Sequence, residues 1–192
     1  MHTYKLKKYH FIDSFNLTKF VNLNRDISLI WRSKYAEEDI NNIIKIANYC
    51  RKYKRKFYLA NNFKLAIKLN LDGVYISANN KSIRHNSYIL KKKFKILGSA
   101  HNQYEIDNKK NQKVKELFLS PIFKKKGVMP IGLYKIKNLF DLFSGPKIAL
   151  GGINKKNIRL LKLSKFNGFA AIEYFDLKKK KAPNNWGLFK II

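Results

Sequence analysis

Cysteine is nearly absent: Cys50 is alone in a chain of 192 residues. A single thiol excludes an internal disulfide and a cysteine-built zinc site. Set on an apparent helix, it reads as a small buried group. Proline is sparse as well, at 4 residues, and no linker or boundary shows, so residues 1–192 read as one domain. That length suffices for one core of ordinary size. No apolar run reaches membrane-spanning length, so no membrane partner is expected. Behind Met1-His2-Thr3-Tyr4-Lys5 no apolar h-region follows, so no secretory signal is read and the expected address is cytoplasmic.

Negative charge is the other shortage: 12 acidic residues face 41 lysines and arginines, a net charge of +29. Such a balance suits a polyanion through neutralised phosphates. It also follows from composition alone, because Lys, Asn and Ile are abundant together and share AT-rich codons. Lysine runs occur at Lys91-Lys92-Lys93, Lys124-Lys125-Lys126 and Lys178 to Lys181, without an arginine stripe or an aromatic RNA-binding motif. A solvated basic surface is the first reading, and a nucleic-acid partner stays open as the weaker one. Nothing in the composition selects an oligomeric state.

Hydrophobic residues, 45% of the chain, supply a core, and they fall into an alternation. Strand-like runs stand at Tyr9–Ile12, Ile27–Trp31, Lys56–Leu59, Gly73–Ile76, Lys95–Leu97, Glu116–Leu119, Ile148–Leu150 and Gly168–Ile172. Helix-like segments fall between them at Leu17–Val21, Glu37–Tyr53, Phe63–Leu69, Tyr88–Lys92, Gln103–Asn111 and Ile136–Phe143. A further one carries Ile158, Leu160, Leu161 and Leu163, with Asn154 as its N-cap. Short apolar strands alternating with helices predict a parallel sheet buried on both faces. Eight such units predict an α/β fold closed into a single (β/α)8 TIM barrel.

Working residues of such a barrel sit where strands end. Strand two ends in Trp31-Arg32-Ser33-Lys34, strand three in Ala60-Asn61-Asn62 and strand five in Gly98-Ser99-Ala100-His101. Strand seven ends in Gly151-Gly152, a turn that offers backbone N–H groups to an anion. Arg32 and Lys34, two apart, project to one side. Together these groups suit a phosphorylated small molecule. A carboxylate at Gly152 is then expected to weaken phosphate binding and leave the fold intact.

Several of these segments, in order, resemble the thiamine phosphate synthases and their thiazole-tautomerase relatives. Leu59-Ala60-Asn61-Asn62 with Leu71-Asp72-Gly73-Val74-Tyr75-Ile76 is similar to that family's "INDR…A…ADGVHL" block. Trp31-Arg32-Ser33-Lys34 resembles the end of "QxRxK", Ser99-Ala100-His101 resembles "GxSxH", and Ser120-Pro121-Ile122-Phe123 resembles "SPVF". Ala149-Leu150-Gly151-Gly152-Ile153 resembles "AIGGI", and Gly168-Phe169-Ala170-Ala171-Ile172 the closing "GVAVIS". The resemblance implies a barrel that joins an aminopyrimidine methyl diphosphate to a thiazole phosphate and releases pyrophosphate. It implies Arg32 and Lys34 on the diphosphate, Ser99 on the pyrimidine substrate and Gly151-Gly152 on the thiazole phosphate. Asn61 joins the substrate-binding set, and Ser99 and His101 form the catalytic set, with His101 read either as a donor to substrate or as a cap of its own loop.

Departures accompany the matches. The family's two magnesium-binding aspartates fall on Asn61 and Asn80, and neutral amides are poor Mg²⁺ ligands. No metal ligand is therefore assigned, and Mg²⁺ is expected only with the diphosphate substrate. Glu173 stands where the family has a phosphate-binding serine, and Tyr75 where it has histidine, with packing its expected role. Trp31 is read either as a stacking partner for a pyrimidine or as packing at the barrel mouth. Three functions stay open: a synthase with altered metal demand, a non-catalytic or regulatory barrel that binds a phosphorylated thiamine precursor, and a basic polyanion binder.

Overall fold

Side-chain alternation decides which way each strand faces. The computed structural model describes residues 6–33, 39–124, 127, 129–162 and 164–175. Eight strands follow one another: β1 (Lys7–Ile12), β2 (Ile27–Trp31), β3 (Phe57–Ala60), β4 (Gly73–Ile76), β5 (Lys95–Ala100), β6 (Glu116–Leu119), β7 (Lys147–Leu150) and β8 (Gly168–Ala171). Each pairs in parallel with the next, and β1 pairs with β8, so the sheet closes into a barrel in sequence order. Helices α1 (Leu17–Val21), α2 (Ile40–Lys52), α3 (Phe63–Lys68), α4 (Gln103–Asn111), α5 (Gly132–Asp141) and α6 (Ile158–Lys162) lie between strands, and a 3-10 turn at Arg84–Ser87 follows β4.

Along β1, β3, β4 and β6, Tyr9, Phe11, Tyr58, Tyr75 and Phe118 point into the lumen and fill it. Phe11 and Phe118 meet the Tyr75 ring edge-on at 5.1 and 5.4 Å, so the lumen is a packed aromatic core. The alternate residues, among them Leu29, Trp31, Leu59, Val74 and Leu117, face outward onto Phe20, Ile43, Ile46, Ala66 and Ile106 of the helices. At the lower end Glu116 accepts from Lys7 at 2.8 Å, Lys95 at 3.2 Å and the Tyr9 hydroxyl at 2.5 Å. Burial opposes its charge, yet those bonds and the two ammonium groups hold its carboxyl below the ordinary range. Cys50 is buried among these helices and its thiol is pushed up to about 12, mainly by burial, so it stays protonated and unreactive.

Some expectations fail for physical reasons. Residues 88–92 form no helix; Tyr88 is extended, and the turn before it is built on local side-chain bonds, Ser82 N–H to Asn80 Oδ1 and Ser87 Oγ to the Arg84 carbonyl. Such bonds offer the backbone an alternative to a helical ladder. On α2 the buried face is Ile43, Ile46, Ala47 and Cys50, whereas Ile40 and Ile44 are exposed. Glu37 and Leu163 lie outside the described residues. Trp31 points outward into the helix layer and is 2% exposed, so it packs and does not stack on a ligand at the mouth. Burying such a side chain contributes on the order of 2–3 kcal/mol.

Candidate functional site

Two residues beyond an inward-facing strand residue, the next side chain faces the mouth on the same side. Ile30, Tyr75 and Leu97 face the lumen, so Arg32, Ser77 and Ser99 point upward from β2, β4 and β5. Arg32 is exposed, and its guanidinium lies over the Phe11 ring at 4.8 Å. Ser99 is buried at 4% exposure with its hydroxyl against the phenol of Tyr75. Burial drives the Tyr75 phenol upward in pKa, and the Ser99 hydrogen bond and the Arg32 charge pull against it. Arg32 thus rests on Phe11 and Ser99 on Tyr75, and these two rings, packed edge-on, form the floor between them. Tyr75, expected only to pack, is missed as part of this unit, although its period-2 relation to Ser77 was available in the sequence.

Beside this floor stand the two asparagines. Asn61 has a left-handed backbone, φ +59°, which Asn tolerates. Its Oδ1 accepts from the Ser77 N–H at 3.0 Å and from Asn80 Nδ2 at 3.1 Å. Its Nδ2 donates to Ser77 Oγ at 3.0 Å, and Asn80 Oδ1 accepts from the Ser82 N–H at 3.0 Å. Backbone donors therefore fix both amide orientations, and the two side chains form a neutral bridge. A cleft of about 350 Å³ opens beside it, lined by Phe63, Arg84, His85 and Tyr88 as well as the pair.

His101 lies at the β5 exit, half-exposed, with Nδ1 2.8 Å from Glu105 Oε2; the same carboxylate accepts from the His101 N–H at 2.6 Å. Asn102 caps α4 through its bond from the Glu105 N–H. Glu105 thus supports the helix start and orients the imidazole together. No bond joins His101 to the Ser99–Tyr75 unit among the described residues.

Across the mouth, Gly151 and Gly152 have φ +91° and +69°. A Cβ on Gly152 would sit 2.6 Å from the Phe123 carbonyl oxygen and 2.9 Å from that of Lys124. The glycines are therefore required by the approach of the loop after β6, which brings exposed Lys124 against the turn. Asn157 Nδ2 donates to the Gly152 carbonyl at 2.7 Å, and Asn154 Oδ1 accepts from the Lys156 and Asn157 N–H groups. Asn154 caps the turn that leads into α6, a helix of only 5 residues, so its dipole lends little to an anion. Lys34, Lys125 and Lys126 lie outside the described residues. Glu173, exposed after β8, adds the one carboxylate expected to oppose a phosphate. Among the described residues no group of three His, Cys, Asp or Glu side chains could hold a metal ion, and no helix is long and apolar enough to cross a membrane.

A closed barrel of eight parallel strands, with Arg32, Asn61, Ser77 and Ser99 at or beyond their carboxyl ends, has the architecture of the (β/α)8 barrels. Within that class the chain belongs to the thiamine monophosphate synthase family, whose model matches residues 27–175. A thiamine-phosphate synthase of Pelagibacter ubique is 30% identical over 194 residues, covering 92% of this chain and 93% of the relative. One from Prochlorococcus marinus is 27% identical over 140 residues, covering 71% of this chain and 40% of that longer relative. The match thus spans less than half of that relative's length. The solved structure of a thiamine phosphate pyrophosphorylase from Pyrococcus furiosus shares the fold, with a TM-score of 0.68, 20% identity and coverage of 88% of this chain and 86% of its own.

Proposed function

We propose that this chain acts in thiamine biosynthesis as a transferase, joining an aminopyrimidine methyl diphosphate to a thiazole phosphate and releasing pyrophosphate. The observation that supports the reading is that Arg32, over Phe11, and Ser99, on Tyr75, stand on the same pair of packed rings at the barrel mouth, with Arg32, Tyr75 and Ser99 inside the matched family region. The bond from the methylene carbon to the diphosphate oxygen breaks, and its electron pair leaves with pyrophosphate. The thiazole nitrogen then donates its lone pair to the pyrimidine cation. Arg32 holds the departing diphosphate in a bidentate grip, stabilising charge as it develops. Ser99 orients the pyrimidine, and the Gly151–Gly152 turn with Lys124 receives the thiazole phosphate. Lys34 extends the cationic side by its spacing from Arg32. His101 stands at the rim as a donor to substrate, held by Glu105.

The Asn61–Asn80 pair does not fit a resident Mg²⁺ site. Its oxygens carry no charge and already accept from Ser77, Asn80 and Ser82. Magnesium enters this account only as a companion of the diphosphate, as part of the substrate. The same bridge favours a second reading, a non-catalytic barrel that binds a thiamine precursor. Arg32→Ala tests the first reading: affinity for inorganic pyrophosphate falls about 10- to 100-fold, the worth of one charge-assisted pair. Unchanged affinity removes Arg32 from the site.

A further inference from the structure

One buried cation in the helix layer is unused by this chemistry. Lys109 lies on α4 and is 0% exposed, and no carboxylate pairs with it among the described residues. Its ammonium is held by oxygens instead: the Asn80 carbonyl at 2.8 Å, Gln112 Oε1 at 2.9 Å and, at a longer 3.4 Å, the Ala78 carbonyl. Three N–H donors thus meet three acceptors. Gln112, also 0% exposed, donates through Nε2 to the Asn80 carbonyl at 2.9 Å and the Ser82 carbonyl at 2.8 Å. The Gln112 backbone carbonyl lies 2.9 Å from His85 Nε2, and the His85 ring stacks on Phe63 at 4.1 Å.

The route of the lysine stem is built into the sheet. A Cβ on Gly98 of β5 would lie 3.0 Å from Lys109 Cδ and 2.7 Å from Val114 Cγ2. The missing side chain at Gly98 leaves the slot through which Lys109 passes between α4 and β5. Two buried side chains, Lys109 on α4 and Gln112 at its C-cap, therefore grip three carbonyls of one loop, Ala78, Asn80 and Ser82. That loop carries the Asn80 side chain to the mouth, where it bridges to Asn61. Burying an ammonium without a counter-ion is unfavourable, so an arrangement of this kind needs every donor satisfied.

We propose that Lys109, aided by Gln112, is a positioning residue: it clamps the Ala78–Ser82 loop and so sets the Asn61–Asn80 bridge beside the diphosphate. The proposal rests on the reading of that mouth as the diphosphate site. Burial brings the Lys109 ammonium down to about 8, with Glu105 one turn earlier on α4 acting the other way. From the other elements packed on it, His85 approaches through Gln112, and β5 presents uncharged Gly98. Loss of its proton removes one of the three donors and slackens the clamp.

The test reads Asn80 directly. In the wild-type protein, the Asn61 and Asn80 side-chain amide NMR signals move together with pH, with one inflection near 8. In Lys109→Met that inflection disappears, and the Asn80 amide protons exchange with water about tenfold faster. Affinity for inorganic pyrophosphate at neutral pH falls about tenfold. Asn80 signals that are blind to pH in the wild type, or unaltered in Lys109→Met, overturn the clamp. The wild-type titration alone decides this if the variant does not fold. Altered Asn80 signals with unchanged pyrophosphate affinity keep the clamp and overturn the placement of Asn80 in the diphosphate site.

Discussion

Asn80 donates from Nδ2 to Oδ1 of Asn61 at 3.1 Å, across the exits of β3 and β4. In this bridge two amides bond to each other, where two carboxylates would repel. Its two ends are not equivalent, because Asn61 accepts in it and Asn80 donates.

Asn61→Asp keeps the acceptor that Ser77 N–H needs and turns the Asn80 bond into a charge-assisted one. Its stability stays within about 1 kcal/mol of wild type. Asn80→Asp keeps the bond from Ser82 but points a carboxylate at the Asn61 oxygen, at a cost of about 1–2 kcal/mol. The double variant brings two carboxylates together, and Mg²⁺ recovers its stability. Denaturant unfolding of the three variants with and without Mg²⁺ checks the order. Equal stabilities, indifferent to the ion, contradict it.

Gly152→Ala destabilises the fold. The left-handed backbone alone costs about 1 kcal/mol. The clash with two backbone carbonyls adds about 1–3 kcal/mol. The sequence-based expectation that Gly152→Asp spares the fold is therefore revised. Lys124→Ala, at an exposed side chain, is the cleaner probe of the phosphate turn. Thermal melts separate the two, with a lowered midpoint for Gly152→Ala and an unchanged one for Lys124→Ala.

Lys109 makes stability rise with pH in a defined window. Its folded pKa is lowered from 10.5 to about 8, mainly by burial. Between those values the unfolded chain holds a proton that the folded chain has released, so the slope of unfolding free energy is positive. Below pH 8 the buried charge costs about 3 kcal/mol, and the cost fades as pH approaches 10.5. Cys50, raised from 9.0 to about 12, and the raised Tyr75 act in the opposite sense and cancel between variants. Wild type minus Lys109→Met therefore gains about 1.4 kcal/mol per pH unit above 8. A difference that stays constant from pH 7 to 10 contradicts this.

The strands were legible because short apolar runs end at polar residues or glycine, such as Arg32, Asn61, Ser77, Ser120 and Gly151, and β2, β4 and β6 match residue for residue. The helix after β4 was not, since Asn80, Ser82 and Ser87 divert the backbone with their own side chains. At the site, alternation was enough to aim Arg32 and Ser99 upward. It was also enough to turn Trp31 outward, had the period been followed one residue further. Lys109 was hidden by composition: one lysine among so many looks solvated. Its signature is an apolar face, Ile106 then Lys109 three residues on, opposite a glycine in the neighbouring strand. Gly151-Gly152 was found for its open amides, whereas the structure shows a close backbone approach as the first demand on it.

The most direct measurement is turnover itself. The purified chain is incubated with the aminopyrimidine methyl diphosphate, the thiazole phosphate and Mg²⁺, and both products are quantified by mass spectrometry. The account predicts thiamine phosphate and pyrophosphate in equal amounts, with the rate lowered at least tenfold in Arg32→Ala. Thiazole phosphate that binds while neither product forms contradicts it, and leaves a barrel that holds a precursor without joining it.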